Sequence, residues 1–355
     1  MKLESCELRQ RWPAPSRPRP IVIIGAGAIV RTAHLPAYRR LGFEVAGVFD
    51  VSRDAACETA RAFGIGRVFD TLDEAAAGRD LVFDVAVPGD QIAGVVARLP
   101  PGAAVLIQKP MGEDLAAARR ILETCRLRGL IAALNFQLRF SPNVIAARDL
   151  VEQGKLGDLT DIEVRIVDRQ PWEQWRFLRG APRLEVLYHS IHYLDVIRWF
   201  AGDPNGVYCC AVPDPHLSAF ADTRSSIILD YGRAIRCSLM LNHTQRGGAD
   251  DRASFLKLEG TNGTARLTLG VNLAYPVGSP DRLELTPAGG SSEVVPLRGS
   301  WFTEAFEGPM SNLQRFVAGE DPALVSPVDD AIRTMAVVEA CYQSSAGGAT
   351  PVPAV

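Results

Sequence analysis

Lys109 closes the apolar run that begins at Ala103, and Pro110 follows it at once. Ala104 to Ile107 are all apolar and read as a buried strand. A charge at the end of such a strand is costly unless it meets a ligand or a partner. Pro110 cannot continue the ladder, so the chain turns there. Strand carboxyl ends in an open parallel sheet are where ligands bind, which makes Lys109 a candidate for chemistry rather than a lysine snorkelling to solvent. A second group, Tyr188, His189, His192 and Asp195, shares one helical stretch near Glu185 to Phe200. The i, i+3 histidines raise a metal possibility, but no third ligand is apparent and no metal is expected. A third group, Trp172, Trp175 and Arg176, lies in a loop from Asp168 to Arg183. Indole faces stack on sugars and guanidinium groups bind hydroxyls or carboxylates; the alternative is a joint packed by its own aromatics.

The elements that would position Lys109 form a repeating unit. Ile21-Val-Ile-Ile24 is a β-branched run leading into Gly25-Ala-Gly27, with Ala28 and Ile29 opening a helical stretch. A strand, a tight glycine turn and a helix amino end make a pyrophosphate cradle. Gly25 permits the turn and Gly27 lets the backbone approach the phosphates; Val30 stands where the fingerprint's third glycine would pack helix on strand. Asp50 ends the next strand, where a carboxylate grips ribose hydroxyls and disfavours a 2′-phosphate. NAD is therefore expected, and Arg53 keeps NADP open. Helices at 52–63, 73–77, 91–99 and 115–128 alternate with strands at 81–87, 103–109 and 130–135. The strand ends Val87-Pro88, Gln108-Lys109 and Asn135 join the cofactor-binding set. This alternation describes a doubly wound parallel sheet, an α/β Rossmann domain.

Beyond Asn135 the pattern changes to strand after strand. Ile235, Cys237, Leu239 and Leu241 alternate with Arg236, Ser238, Met240 and Asn242, the signature of a sheet with two unlike faces. Asn262-Gly263 predicts a type I′ hairpin. The expected organisation is a flexible leader at 1–19, a dinucleotide-binding domain at 20–137, and an α+β domain at 138–355 with a large, mostly antiparallel open sheet. Helices near 303–318 and 327–345 close the chain and can pack back on the first domain. A half-apolar outer sheet face predicts a homodimer or homotetramer. A net charge of −3 gives no electrostatic reason to expect nucleic acid or an anionic membrane as partner. No apolar run approaches the ~20 residues of a membrane span. The seven cysteines are scattered and never spaced C-x-x-C, which suits reduced thiols in the cytoplasm.

Together these landmarks resemble the glucose–fructose oxidoreductase and inositol dehydrogenase family (Gfo/Idh/MocA). The carriers are Gly25-Ala-Gly27, His34-Leu35-Pro36, Gln108-Lys109-Pro110, the stretch Asn135-Phe-Gln-Leu-Arg139-Phe-Ser-Pro142, Gly154-Lys-Leu-Gly157, and His192-Tyr-Leu-Asp195. The resemblance implies an NAD(P)-dependent dehydrogenase acting on a hydroxyl of a sugar, cyclitol or related polyol. It implies His192 as general base or acid and Lys109 as the cation that steadies the substrate oxygen, roles for which imidazole and ammonium are suited. Arg139, Tyr188, His189, Trp172, Trp175, Arg176 and Asp195 are the expected substrate contacts. Gln108 departs from the family's usual glutamate, and Tyr188 stands where many relatives carry an aspartate. The same resemblance admits an NAD-assisted glycoside hydrolase or lyase, or a cofactor-sensing regulator without chemistry.

Overall fold

The computed structural model describes residues 8–273, 275 and 278–353. They form two compact units, Arg9–Ala146 with Arg298–Met335, and Ala147–Leu297 with the stretch from Ala336 onward.

The first unit holds a five-stranded parallel sheet in the order β2-β1-β3-β4-β5. Its strands are β1 (Ile21–Ile24), β2 (Val45–Phe49), β3 (Val82–Val85), β4 (Ala104–Gln108) and β5 (Ile131–Asn135). β1, β3 and β4 are buried along their whole length, as continuous apolar strands covered on both faces should be. The chain steps outward from β1 to β2, then returns past β1 to β3. Right-handed crossovers on either side of that reversal put the connecting helices on opposite faces and open a crevice at the β1/β3 carboxyl ends. Helix Arg53–Phe63 starts where Ser52 accepts from the Ala55 N–H and stops at Gly64, whose φ of 72° is left-handed.

Two segments remote in sequence complete this unit. Helix Glu307–Val317 places Met310 and Leu313 in the same core as Ile21, Ile23, Tyr38 and Leu106. Ser326 bonds to both backbone groups of Leu134, so this segment covers the outer edge of β5. The amino-terminal stretch differs from the expected loose leader over residues 8–19. Trp12 donates to Asp321 at 2.7 Å and packs edge-on to Phe140, Ser16 bonds Glu320, and the Arg19 N–H bonds Gln314. A half-buried indole and paired backbone groups hold it; residues 1–7 lie outside the described residues.

The second unit is built on an eight-stranded sheet in the order β13-β12-β11-β10-β6-β9-β8-β7, antiparallel except for the parallel β6–β9 pair. Its strands are β6 (Leu159–Val167), β7 (Gly206–Val212), β8 (Arg224–Tyr231), β9 (Ile235–Asn242), β10 (Ala253–Gly260), β11 (Gly263–Thr268), β12 (Arg282–Pro287) and β13 (Glu293–Val295). Cys237, Leu239 and Leu241 are buried while Arg236 and Met240 are exposed, so β9 shows the two unlike faces. The β10–β11 hairpin forms, but not as a type I′ Asn-Gly turn. Its connecting residues are Thr261 and Asn262, and neither Asn262 nor Gly263 has a positive φ. Thr261 and Asn262 give their N–H groups to Asp158 and Leu156 instead. Gly263 is required by close approach, because a Cβ there would sit 2.7 Å from the Thr286 carbonyl oxygen.

Candidate functional site

On the parallel sheet the expected cofactor residues converge at the strand carboxyl ends. Gly25 takes a φ of 104°, and a Cβ there would lie 2.3 Å from the Ala86 carbonyl oxygen just past β3. Gly27 faces open space and, with Ala28, is exposed to solvent. A solvent-open glycine before the amino end of a helix fits a pyrophosphate, which needs unhindered N–H donors. Val87 approaches the position a Gly25 Cβ would take, so the β3 end and the glycine turn abut. Asp50 follows β2 and accepts from the Ala26 N–H at 2.7 Å and the Ser52 N–H at 2.8 Å. It thereby ties the turn to the second strand. Arg53 pairs with Asp70 on the surface, so a 2′-phosphate would have to compete with that carboxylate.

Lys109 directly follows β4. Its side chain is only partly buried by accessible area, yet the protein packed around the ammonium lowers its pKa to about 8, through desolvation. A lysine so placed can hold an anion and can also exchange a proton near neutral pH. Beside it, Gln108 accepts from the Lys109 N–H at 2.9 Å, and Asn135 ends β5 with its amide nitrogen 3.1 Å from His34 Nε2. Arg139 is not available to a substrate. It is buried against Asp330 at 2.7 Å and the Val325 carbonyl at 2.7 Å, with its guanidinium beside the Phe136 ring, and so clamps this unit together.

In the other unit the histidine-bearing stretch is a π-helical turn, Val186–Ser190, running into the α-helix Ile191–Ala201. The wider turn means Tyr188 and His192 are not related by one ideal α-turn; π-bulges of this kind recur at functional sites. Tyr188 and His189 are partly buried, His192 and Asp195 buried. Asp222 anchors the start of the stretch by accepting from the Leu184 and Val186 N–H groups. Glu185 accepts from the Ser190 hydroxyl at 2.6 Å.

Beneath this turn lies a charged cluster that the sequence reading missed. His243 Nδ1 donates to Asp168 at 2.7 Å, and its Nε2 lies 3.4 Å from Glu185. Burial alone would lower the His243 pKa, but the charge and hydrogen bond of Asp168, with Glu185 behind them, outweigh it and hold the ring at about 9. The His243 ring packs 4.6 Å from His189, centroid to centroid. A signal was present: His243 continues the buried phase Cys237, Leu239, Leu241 of β9. Of the loop tryptophans, Trp172 is fully buried with Leu178, Leu184 and Phe220, so it serves packing and offers no stacking face to a sugar. Trp175 is partly buried beside Trp172, His189 and Tyr275 and keeps its candidacy. The Arg176 side chain lies outside the described residues.

Residues 19–136 match the model of an oxidoreductase family with an NAD-binding Rossmann fold, and residues 144–266 match the GFO/IDH/MocA C-terminal domain. The chain belongs to the Gfo/Idh/MocA family. Among relatives, it is 24% identical over 345 residues to D-apiose dehydrogenase of Paraburkholderia graminis, covering 92% of this chain and 88% of that one. It is 28% identical over 272 residues to inositol 2-dehydrogenase of Cereibacter sphaeroides, covering 74% and 76%. Among solved structures, an Agrobacterium radiobacter oxidoreductase in complex with NAD+, L-tartaric acid and magnesium aligns with a TM-score of 0.80 at 20% identity, over 94% of this chain and 98% of that one. The Gfo/Idh/MocA assignment makes this chain an oxidoreductase with an NAD-binding domain of the dehydrogenase type.

Proposed function

We propose that the protein is an NAD-dependent dehydrogenase oxidising a secondary hydroxyl of a sugar, cyclitol or related polyol. The observation that carries this reading is Lys109, placed after β4 on the carboxyl edge that also presents the open Gly27 turn, Asp50, Gln108 and Asn135, with its pKa lowered to about 8. The names of the apiose and inositol dehydrogenases point to the same substrate class.

The Gly25–Ile29 turn would hold the pyrophosphate, Asp50 the adenosine ribose, and Gln108 with Asn135 the nicotinamide half. When bound, the nicotinamide supplies the hydride acceptor. His192 would take the hydroxyl proton as the carbon is oxidised, and Lys109 would lower the cost of developing alkoxide charge. Tyr188, His189 and Trp175 would contact the remaining hydroxyls and the apolar face of the ring, with Asp195 supporting His192 from its own helix. A homo-oligomer is part of the proposal. Tyr208, Ile228 and Met240, from neighbouring strands β7, β8 and β9, are 67%, 51% and 49% exposed on one face of the large sheet.

The test is incubation with NAD and a panel of aldoses, cyclitols and sugar acids. Net accumulation of reduced cofactor with one of them supports the dehydrogenase. Consumption of a glycoside without net reduction would replace it with transient-oxidation chemistry, and dinucleotide binding without turnover would leave a regulator.

A further inference from the structure

His34 is buried at the end of the π-helical turn Val30–His34, just after the glycine turn, and nothing in the proposed reaction uses it. Its Nδ1 lies 2.8 Å from Asp84 Oδ2, an oxygen that also accepts from the Tyr38 hydroxyl at 2.8 Å. Asp84 is an acid wholly buried within the apolar strand β3. A carboxylate partner requires that Nδ1 carry a proton, so in the neutral ring Nε2 is a bare acceptor. Two donors face it, the Asn135 amide nitrogen at 3.1 Å and the Gln108 amide nitrogen at 3.4 Å. The Gln108 orientation is set independently, because its oxygen is taken by the Lys109 N–H. Asn135, turned the same way, is left with an amide oxygen that is buried and, among the described residues, has no hydrogen-bond partner. Leaving such a group unmet is costly unless a ligand donor reaches it.

We propose that His34 is a positioning residue that, beside the Gln108 amide, turns the Asn135 amide so that its oxygen faces the nicotinamide half of the cofactor. The proposal rests on the reading that this unit binds NAD. The unpartnered Asn135 oxygen is the acceptor left for a ribose hydroxyl or the carboxamide of the nicotinamide. A glutamate at 108 would set lone pairs against the lone pair of Nε2. It could be accommodated only by adding a proton there, which makes a buried imidazolium between Asp84 and the new carboxylate.

Nitrogen-15 NMR of the histidine rings in the full-length protein, near pH 8 and without cofactor, reads the tautomer directly. The expected state of His34 is protonated Nδ1 and bare Nε2, with Nε2 becoming protonated in Gln108→Glu. NAD affinity separates positioning from packing. His34→Asn keeps a donor for Asp84 but removes the acceptor, and should weaken NAD binding about tenfold, the scale of one hydrogen bond. His34→Gln restores an acceptor near the Nε2 position and should recover most of that loss, at a thermal midpoint close to that of His34→Asn. A proton on Nε2 in the unmodified protein with NAD binding intact would overturn the positioning proposal alone. Equal weakening by both His34 variants, tracking their loss of stability, would reduce His34 to a packing residue and overturn it too. Failure of the unmodified protein to bind any nicotinamide dinucleotide, with the expected tautomer in place, would overturn the cofactor reading itself.

Discussion

Replacing His243 by Asn leaves a donor for Asp168 but removes the titrating charge between Asp168 and Glu185. The ring is held at about 9 against an ordinary value of 6.5. At about 1.4 kcal/mol per pKa unit, that rise corresponds to about 3–4 kcal/mol of folding stability as an upper limit. The sign follows from a folded pKa above the unfolded one: the contribution is fully present below the unfolded pKa and is lost as pH rises through the folded value. The groups facing the ring are Asp168, Glu185, His189 and Trp172, with Asp222 beside Glu185. Urea unfolding of wild type and His243→Asn from about pH 6 to about pH 10 should show a gap of about 3 kcal/mol at the acid end. About half of it should remain near pH 8, and almost none near pH 10. A gap that stays constant, or widens as pH rises, would refute a protonated His243 between two carboxylates. The turn carrying Tyr188 and His189 would then rest on a neutral hydrogen-bond network.

Four further outcomes follow from other parts of the molecule. If Lys109 must be an ammonium, kcat/KM for hydroxyl oxidation should fall as pH rises through about 8, and that limb should be missing from the residual activity of Lys109→Ala; a limb unchanged in the variant would point to another group. Asp50→Ala should narrow the preference for NAD over NADP, as calorimetric titration would show, whereas tighter NADP binding by the unmodified protein would transfer the discrimination to Arg53. Arg139→Leu removes the buried cation from Asp330, which keeps Arg333 at 2.6 Å, and the donor from the Val325 carbonyl, and should cost about 2 kcal/mol, the scale of charge-assisted hydrogen bonds lost from a buried site; a loss under about 1 kcal/mol would mean that Arg139 is not a clamp. Ile228→Lys with Met240→Lys should convert an oligomer to a monomer by light scattering, and a wild-type protein already monomeric at micromolar concentration would end the proposed sheet-face association.

Much of the fold was legible because its signals are local. The β-branched run before Gly25, the alternation in β9 and the apolar run ending at Lys109 each announce a strand within a few residues. The placement of Gly25, Asp50 and Lys109 just past strand carboxyl ends was legible for the same reason, since pattern alone can place those ends. The missed features depend on pairings between distant positions. His34 and Asp84 each violate an apolar stripe, His34 within Val30, Ala33, Ala37 and Tyr38, and Asp84 within β3. Only the folded sheet brings the two violations together, as it does His243, Asp168 and Glu185. Both π-helical turns escaped because a periodicity search assumes a single helical pitch. Trp172 and Arg139 were misread for a related reason. Their side chains suit sugars and anions equally with packing and ion pairing, and only burial decides between these uses.

The most direct test of the central claim is the single-turnover rate of NAD reduction by whichever polyol the wild type oxidises, measured in wild type, Lys109→Ala and His192→Ala with the NAD Kd determined alongside. Each substitution should lower the rate by a factor of ~100 or more, with NAD affinity nearly unchanged. Retention of the wild-type rate by His192→Ala, or its loss only in His189→Ala, would contradict the assignment of His192 as the base.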